Sequence, residues 1–340
     1  MIEKYYNGVI EQVAGGIGNV EHNSILVRYS NDFSIWDLES VNHYKDQTDI
    51  FFTCHEFSYN KIAEAYEPYL GLIRQMFHKY CSGTLEEFME ECDVYKLQRP
   101  VFESYFEKGF CERTEQILID EVEYEQERMR NSIVTMLQKL SEIRPVVIVL
   151  NRFQLASKST MQLSNSLLQV KNKNIGIVLG VNDVQSIPEF AHEEWDAICE
   201  SMDDRNMVYH IGNAGRNMEP DVMDYYSDYE SDDGYRKLNN LVYFLDFDQA
   251  DHHLSKIERR IKFDNFTISE KKHYQLLLLQ IMVSVLQRDI AKALESCEDL
   301  EKLQDQEKEG AFYYNFWMAT SYMYLGKLEE AMIYVQKAKE

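Results

Sequence analysis

Residues 144–169 read RPVVIVLNRFQLASKSTMQLSNSLLQ, and this stretch decides the architecture. An unbroken apolar run from Val146 to Leu150 leads into a polar pair, Asn151 and Arg152. Beyond that pair, apolar residues recur at helical spacing. A continuous β-branched run bounded in this way is the pattern of a strand buried on both faces, as in a parallel sheet. The helix after it is the crossover that parallel strands require.

Four further runs of the same kind lie outward from this one, at 25–29, 50–54, 175–181 and 207–211. Helical spacing fills the intervals, for example at 35–44, 62–77 and 117–140. Strand–helix alternation predicts an α/β domain over 1–215, a five-stranded parallel sheet with helices on both faces. The span 81–140 is long for a single crossover and is expected to hold additional helices. The acidic stretch 219–235, EPDVMDYYSDYESDDGY, is poor in aliphatic residues and reads as a solvated linker over 216–236.

The strand signal stops there, and 237–340 reads as helices. Ala250, Ala293 and Ala331 recur at matching places, 43 residues apart (250 to 293) and then 38 (293 to 331). The last segment, FWMATSYMYLGKLEEAMIYVQKAK at 316–339, resembles a tetratricopeptide repeat. Ala319 falls at the small position of its first helix and Tyr322 at the aromatic one. Gly326 ends that helix, and Ala331 and Ala338 are small contacts of the second. Small residues let paired helices approach closely. The two earlier units are degenerate, with Arg288 where a glycine is expected. Such repeats imply a groove for a protein or peptide partner, and self-association is a further expectation. No polar capping helix follows the last repeat, so the expectation is that either the cap is missing or the natural protein continues past Glu340. The aromatics Phe312, Tyr313, Tyr314, Phe316, Trp317, Tyr322, Tyr324 and Tyr334 read mostly as core between helices.

The chain has 340 residues, 35 Lys+Arg against 58 Asp+Glu, and a net charge of -23. That balance argues against nucleic-acid binding, which needs a basic surface, and against docking on anionic membranes. The six cysteines form no CxxC pair, so a zinc ribbon or redox motif is not expected. The first residues lack a signal-peptide core, and no apolar run is long enough to span a bilayer. A reduced, cytoplasmic protein is the simplest expectation.

The run 144–169 has the rhythm of a Walker B strand and its helix, and NIGIVLGVND at 174–183 ends in polar residues as a sensor strand does. CHEFSYNKIAEAYEPYLGLIRQMF at 54–77 resembles the segment after the second strand of large signalling ATPases. Together, residues from about 20 to 215 resemble the ATPase domain of the STAND branch of AAA-type P-loop proteins. The resemblance implies a bacterial signal-transduction protein in which helical repeats follow the ATPase domain. Some relatives end in an output domain such as a diguanylate cyclase. It also implies that Tyr29 and Leu150 end on neighbouring central strands.

The residues that perform the chemistry are missing from their expected places. A phosphate-binding loop needs glycines, a Lys and a Ser/Thr after the first strand. Here no glycine occurs between Gly18 and Gly71, and the single Gly-Lys pair is Gly326-Lys327. The Walker B acids are replaced by Asn151, a weak partner for a hard cation, and Arg152, which stays protonated. Ser30, Asn31 and Asp32 are candidate N-caps for the segment at 35–44. The Asp32 carboxylate is positioned to take the N–H groups that would otherwise hold phosphate. These features predict a catalytically inactive, scaffolding ATPase-like domain with no cofactor. The alternative is a nucleotide-binding switch or weak NTPase with a rebuilt pocket at the carboxyl ends of the strands. That pocket would be lined by Ser30, Asn31, Asp32, Asn151, Arg152, Asn182 and Asp183.

Three other features have bland readings. The glycines of GGIG at 15–18 precede the first strand and read as a flexible lead-in turn, because a dinucleotide loop must follow it. Cys54, His55 and Glu56 are consecutive in a strand, so their side chains cannot all converge on one centre. His252-His253 falls on a helix and reads as surface.

Overall fold

The structure is a computed structural model. It describes residues 2–20, 23–30, 33–45, 47, 49–58, 61–111, 122–182, 191–205, 207–211, 229, 231–264, 266–303, 305 and 309–339. Contacts divide the chain into two compact units. The first is Met1–Thr114 with Glu127–Ser227, and the second is Glu115–Gln126 with Asp228–Glu340.

The first unit opens with helix α1 (Ile2–Gly16) and strand β1 (Asn23–Tyr29). A 3₁₀ turn (Ile35–Asp37), helix α2 (Glu39–Lys45) and strand β2 (Phe51–Glu56) follow. Four helices occupy the long connection: α3 (Tyr69–Tyr80), α4 (Leu85–Glu91), α5 (Arg99–Lys108) and α6 (Val122–Ile143). Strand β3 (Val146–Asn151), α7 (Lys158–Gln169), β4 (Ile175–Asn182), α8 (His192–Asp203) and β5 (Val208–Ile211) complete it. All pairings are parallel, in the order β2-β3-β4-β1-β5. The expected five strands are present, each within two residues of its expected ends.

Three local expectations are corrected. The helix expected over 62–77 begins only at Tyr69, directly after Pro68, whose missing N–H and ring are tolerated at a helix start but not inside it. The helix expected over 35–44 is split into the 3₁₀ turn and α2. Gly15 and Gly16 of the supposed lead-in turn belong to the last turn of α1, and Gly18 follows with φ of 83°.

One topological expectation also changes. Tyr29 and Leu150 do not end on neighbouring strands, because β4 lies between β1 and β3. The chain runs from β1 across the sheet to β2, returns through β3 and β4, then crosses β1 to reach β5. The connections leaving β1 and β4 therefore depart in opposite directions. That makes the gap between their carboxyl ends the topological switch point, where open α/β sheets hold ligands.

Helix α1 covers this part of the sheet. Tyr6, Val9, Ile10 and Val13 share one core with Val27 and Tyr29 of β1, Val147 and Val149 of β3, and Val178 of β4. Each such aliphatic side chain removed from water contributes about 1.5–3 kcal/mol. The helix lies very close to β4. A Cβ on Gly180 would overlap the Tyr6 hydroxyl and sit 2.8 Å from Asn151 Oδ1.

The second unit is helical. It contains α9 (Asp232–Tyr243), α10 (Phe247–Phe263), α11 (Glu270–Leu286), α12 (Ile290–Glu301), α13 (Gly310–Tyr324) and α14 (Leu328–Lys339). These form three hairpins, α9/α10, α11/α12 and α13/α14, and the first helices α9, α11 and α13 also contact in succession. Each hairpin turns at one residue with positive φ: Leu245 at 67°, Arg288 at 65° and Gly326 at 72°. The next N–H donates five residues back in every case, Asp246 to Leu241 O, Asp289 to Ser284 O and Lys327 to Tyr322 O, at 2.8, 2.8 and 2.9 Å. This is the Schellman closure of a helix end. Ala250, Ala293 and Ala331, each five residues after a left-handed corner, are buried. The repeat spacing seen in the sequence is thus the spacing of the hairpin corners.

Two expectations in this unit are corrected. Of the eight aromatics at 312–334 expected as core, Trp317 alone is buried, while Phe312 and Phe316 are exposed. His253 is not on the surface but buried, within 3.0 Å of the Tyr229 hydroxyl through Nδ1. The acidic stretch expected as a linker lies outside the described residues at 216–228 and 230. Its last part is helical from Asp232, capped by Ser231 Oγ accepting from Gly234 N at 2.8 Å.

Candidate functional site

The five parallel strands end at one edge, and side chains there fill the switch point. Tyr29, the last residue of β1, donates its hydroxyl to Asn151 Oδ1 at 2.7 Å. Asn151 ends β3 and is fully buried. Its Nδ2 donates to Glu56 Oε2 at 3.3 Å, and Glu56 ends β2. The Ile35 N–H donates to the same Glu56 oxygen at 2.9 Å. Arg152 Nη1 lies 3.0 Å from Glu56 Oε1, with both side chains mostly buried. One carboxylate therefore gathers three donors from two segments.

Arg152 holds this position in the left-handed region, at φ of 53°. A non-glycine residue there costs about 1–2 kcal/mol. The ion pair with Glu56 and the turn at Phe153–Leu155 hold it in place. Gln154 Oε1 accepts from the Asn182 N–H at 3.2 Å, tying the start of that turn to the end of β4.

Aromatic rings close the space above. Tyr6, Tyr29 and Phe33 pack edge to face, with centroids 5.0–6.4 Å apart. The Tyr6 hydroxyl sits over Gly180 and has no hydrogen-bond partner among the described residues. Burial foremost, with the Tyr29 hydroxyl and the Glu56 carboxylate adding to it, holds the Tyr6 phenol well above its ordinary pKa. It is a neutral plug.

The sequence candidates divide accordingly. Asn151 and Arg152 do meet at this edge, and Asn182 joins them through its backbone. Ser30 follows β1 and is half-buried. Asn31, Asp32 and Asp183 lie outside the described residues. The cap of the segment after β1 is Ser34, whose Oγ accepts from Trp36 N at 3.3 Å, rather than Ser30. The carboxylate that meets an N–H of that segment, expected from Asp32, is at Ile35 that of Glu56. Sequence reasoning set Glu56 aside as one of three strand neighbours. Its signal was present: an acid at the last position of a buried strand needs partners. The role of Tyr6 had no local signal, since it depends on how α1 crosses β4.

Chemically, the edge binds itself. The Glu56 carboxylate is occupied by Arg152, Asn151 and Ile35. Arg152 is held by Glu56 and is not directed at a phosphate. Elsewhere burial disfavours the reactive thiolate at two cysteines, pushing Cys54 up to about 11 and Cys297 up to about 12. No group of three His, Cys, Asp or Glu suited to a metal ion exists among the described residues. No described helix is long and apolar enough to cross a membrane. The chain matches no protein-family model and no curated protein sequence.

Proposed function

We propose that this chain is a non-catalytic scaffolding or sensory region in which an inactive ATPase-like domain and a set of tetratricopeptide-like hairpins hold protein partners. The carrying observation is the Glu56 carboxylate on the Ile35 N–H, next to the switch point, with Arg152 and Asn151 as its other donors. An anion of the chain's own occupies an N–H of the segment where a phosphate loop would bind its ligand. The Tyr6 ring and hydroxyl over Gly180 support the same reading, since they fill space beside it.

The repeated hairpin corners support an interaction role for the second unit, because stacked helical hairpins form extended binding surfaces. The test is thermal unfolding with and without ATP–Mg²⁺. A ligand at a hundred times its Kd adds about 2.7 kcal/mol. The expected result is no shift at millimolar nucleotide. A clear shift that vanishes in Glu56→Gln or Asn151→Ala would replace the scaffold by a nucleotide switch.

A further inference from the structure

The sheet has an open edge at β2. The Phe51 N–H donates inward to Pro145 O at 2.7 Å, and β2 pairs with β3 alone among the described residues. Because successive residues of a strand alternate, Phe52 and Cys54 turn their backbone N–H and C=O groups away from β3. Native proteins usually blunt such an edge or use it.

The start of this edge lies in a groove of about 570 Å³. Consecutive strand side chains point to opposite faces, and each finds a wall here. Phe52 stacks on Tyr44 of α2, with centroids 5.6 Å apart. Phe51 packs edge-on against Tyr80 of α3 at 6.1 Å. One wall therefore ends in Lys45, the last residue of α2. The other carries Arg74, His78 and Lys79 of α3.

These side chains are held by neutral partners. Arg74 donates to backbone carbonyls, from Nε to Phe106 O at 2.6 Å and from Nη2 to Glu107 O at 3.1 Å. His78 Nε2 lies 3.2 Å from Phe106 O. Lys79 Nζ sits over the Tyr80 ring at 5.3 Å, and Lys45 Nζ over Trp36 at 4.3 Å. Among the described residues no carboxylate lines the groove, and Lys45, Arg74 and Lys79 have no ion-pair partner. In a chain of net charge -23, a converging set of unneutralised cations is a marked local reversal of sign.

We propose that this groove takes an extended acidic peptide, which adds as a strand to the free edge of β2. Backbone hydrogen bonds to Phe52 would supply affinity, and the two walls would supply selectivity. Lys45 stands on one side of the edge and Arg74 and Lys79 on the other. A strand matching both must carry acids at consecutive positions, not only at alternate ones. The proposal rests on the reading of the chain as a docking scaffold and names the chemistry of one partner.

The experiment is fluorescence anisotropy of a labelled peptide with a run of consecutive glutamates, titrated with the full chain. Lys45→Glu and Lys79→Glu variants are checked for native unfolding cooperativity. Expected are binding that weakens about tenfold in each variant, weakening again when alternate peptide amides are N-methylated, and slowed amide exchange at Phe52. Equal affinity for the N-methylated peptide would mean charge attraction alone and overturn strand addition. Displacement of the peptide by equimolar inorganic phosphate would make this a small-anion site and overturn it as well. A wild-type dimer that dissociates in the charge-reversed variants would assign the edge to a second copy of the chain. None of these readouts touches the Glu56 cluster, so the ATP–Mg²⁺ test fails or succeeds separately.

Discussion

The Tyr29 hydroxyl reaches over β4 to Asn151 Oδ1 at 2.7 Å, joining two strands that share no backbone hydrogen bond. The reach is possible because Gly180 leaves no side chain beneath it. Removing the hydroxyl in Tyr29→Phe takes away that donor from a fully buried amide oxygen, with an expected cost of about 1–3 kcal/mol. Gly180→Ala places a methyl group against Tyr6 and Asn151 and is expected to cost about 1–3 kcal/mol by overpacking. Urea unfolding midpoints of the two variants measure both effects. A midpoint unchanged in either variant contradicts the packing described.

The Glu56–Arg152 pair gives a second prediction. Glu56→Ala leaves the mostly buried guanidinium and the Ile35 N–H without their carboxylate, and should cost about 3 kcal/mol. Adding Arg152→Met should recover a large part of that loss, since no charge is then stranded. A double-mutant cycle in urea reads the coupling directly. Purely additive costs would show that the pair does not hold this edge together.

Acid sensitivity should arise in the second unit. Burial foremost, then His252 and Lys256, hold the His253 imidazole well below its ordinary pKa. Above about pH 6.5 the ring is neutral whether the chain is folded or unfolded, and titration leaves stability unchanged. As pH falls below that value the unfolded chain takes up a proton that the folded state refuses. Stability then drops by up to about 1.4 kcal/mol per pH unit. His253→Gln should flatten this slope. The comparison is amide-exchange protection in α10 at pH 7.5 and 5.5, and equal slopes in both proteins would count against it.

The hairpin corners allow a fourth test. At Gly326 a Cβ would meet open space, so Gly326→Ala reports the backbone alone and should cost about 1 kcal/mol. Arg288 already bears that strain, offset by its guanidinium 4.4 Å over the Tyr324 ring. Arg288→Gly should therefore be nearly neutral in the natural chain. In a Tyr324→Leu background it should stabilise by about 1 kcal/mol, as read from the thermal midpoint.

Strand and sheet were legible in the sequence because burial on both faces writes itself as unbroken β-branched runs, such as Val146 to Leu150. The hairpin period was legible through Ala250, Ala293 and Ala331, since close helix packing restricts size. The candidate site was legible only in part. Asn151 and Arg152 stood out as wrong for hydrolysis, but Glu56 lies 95 residues before Asn151 in the chain and is brought beside it by the pairing of β2 with β3. The placement of β4 between β1 and β3 follows from nothing local. The aromatics at 312–334 misled, because a helix rich in Phe and Tyr reads as core wherever its neighbours lie.

The three matching Schellman corners carry a mechanical consequence. Each bend closes locally on the carbonyl five residues back, and the first is braced in addition by Gln126 Nε2 donating to Leu245 O at 2.6 Å. Such an array has no keystone: loss of one link need not bring down the others, and disassembly can travel along the row like an unfastened zip. Force applied along that row should then be met by stepwise yielding, one bend at a time, rather than by a single rupture.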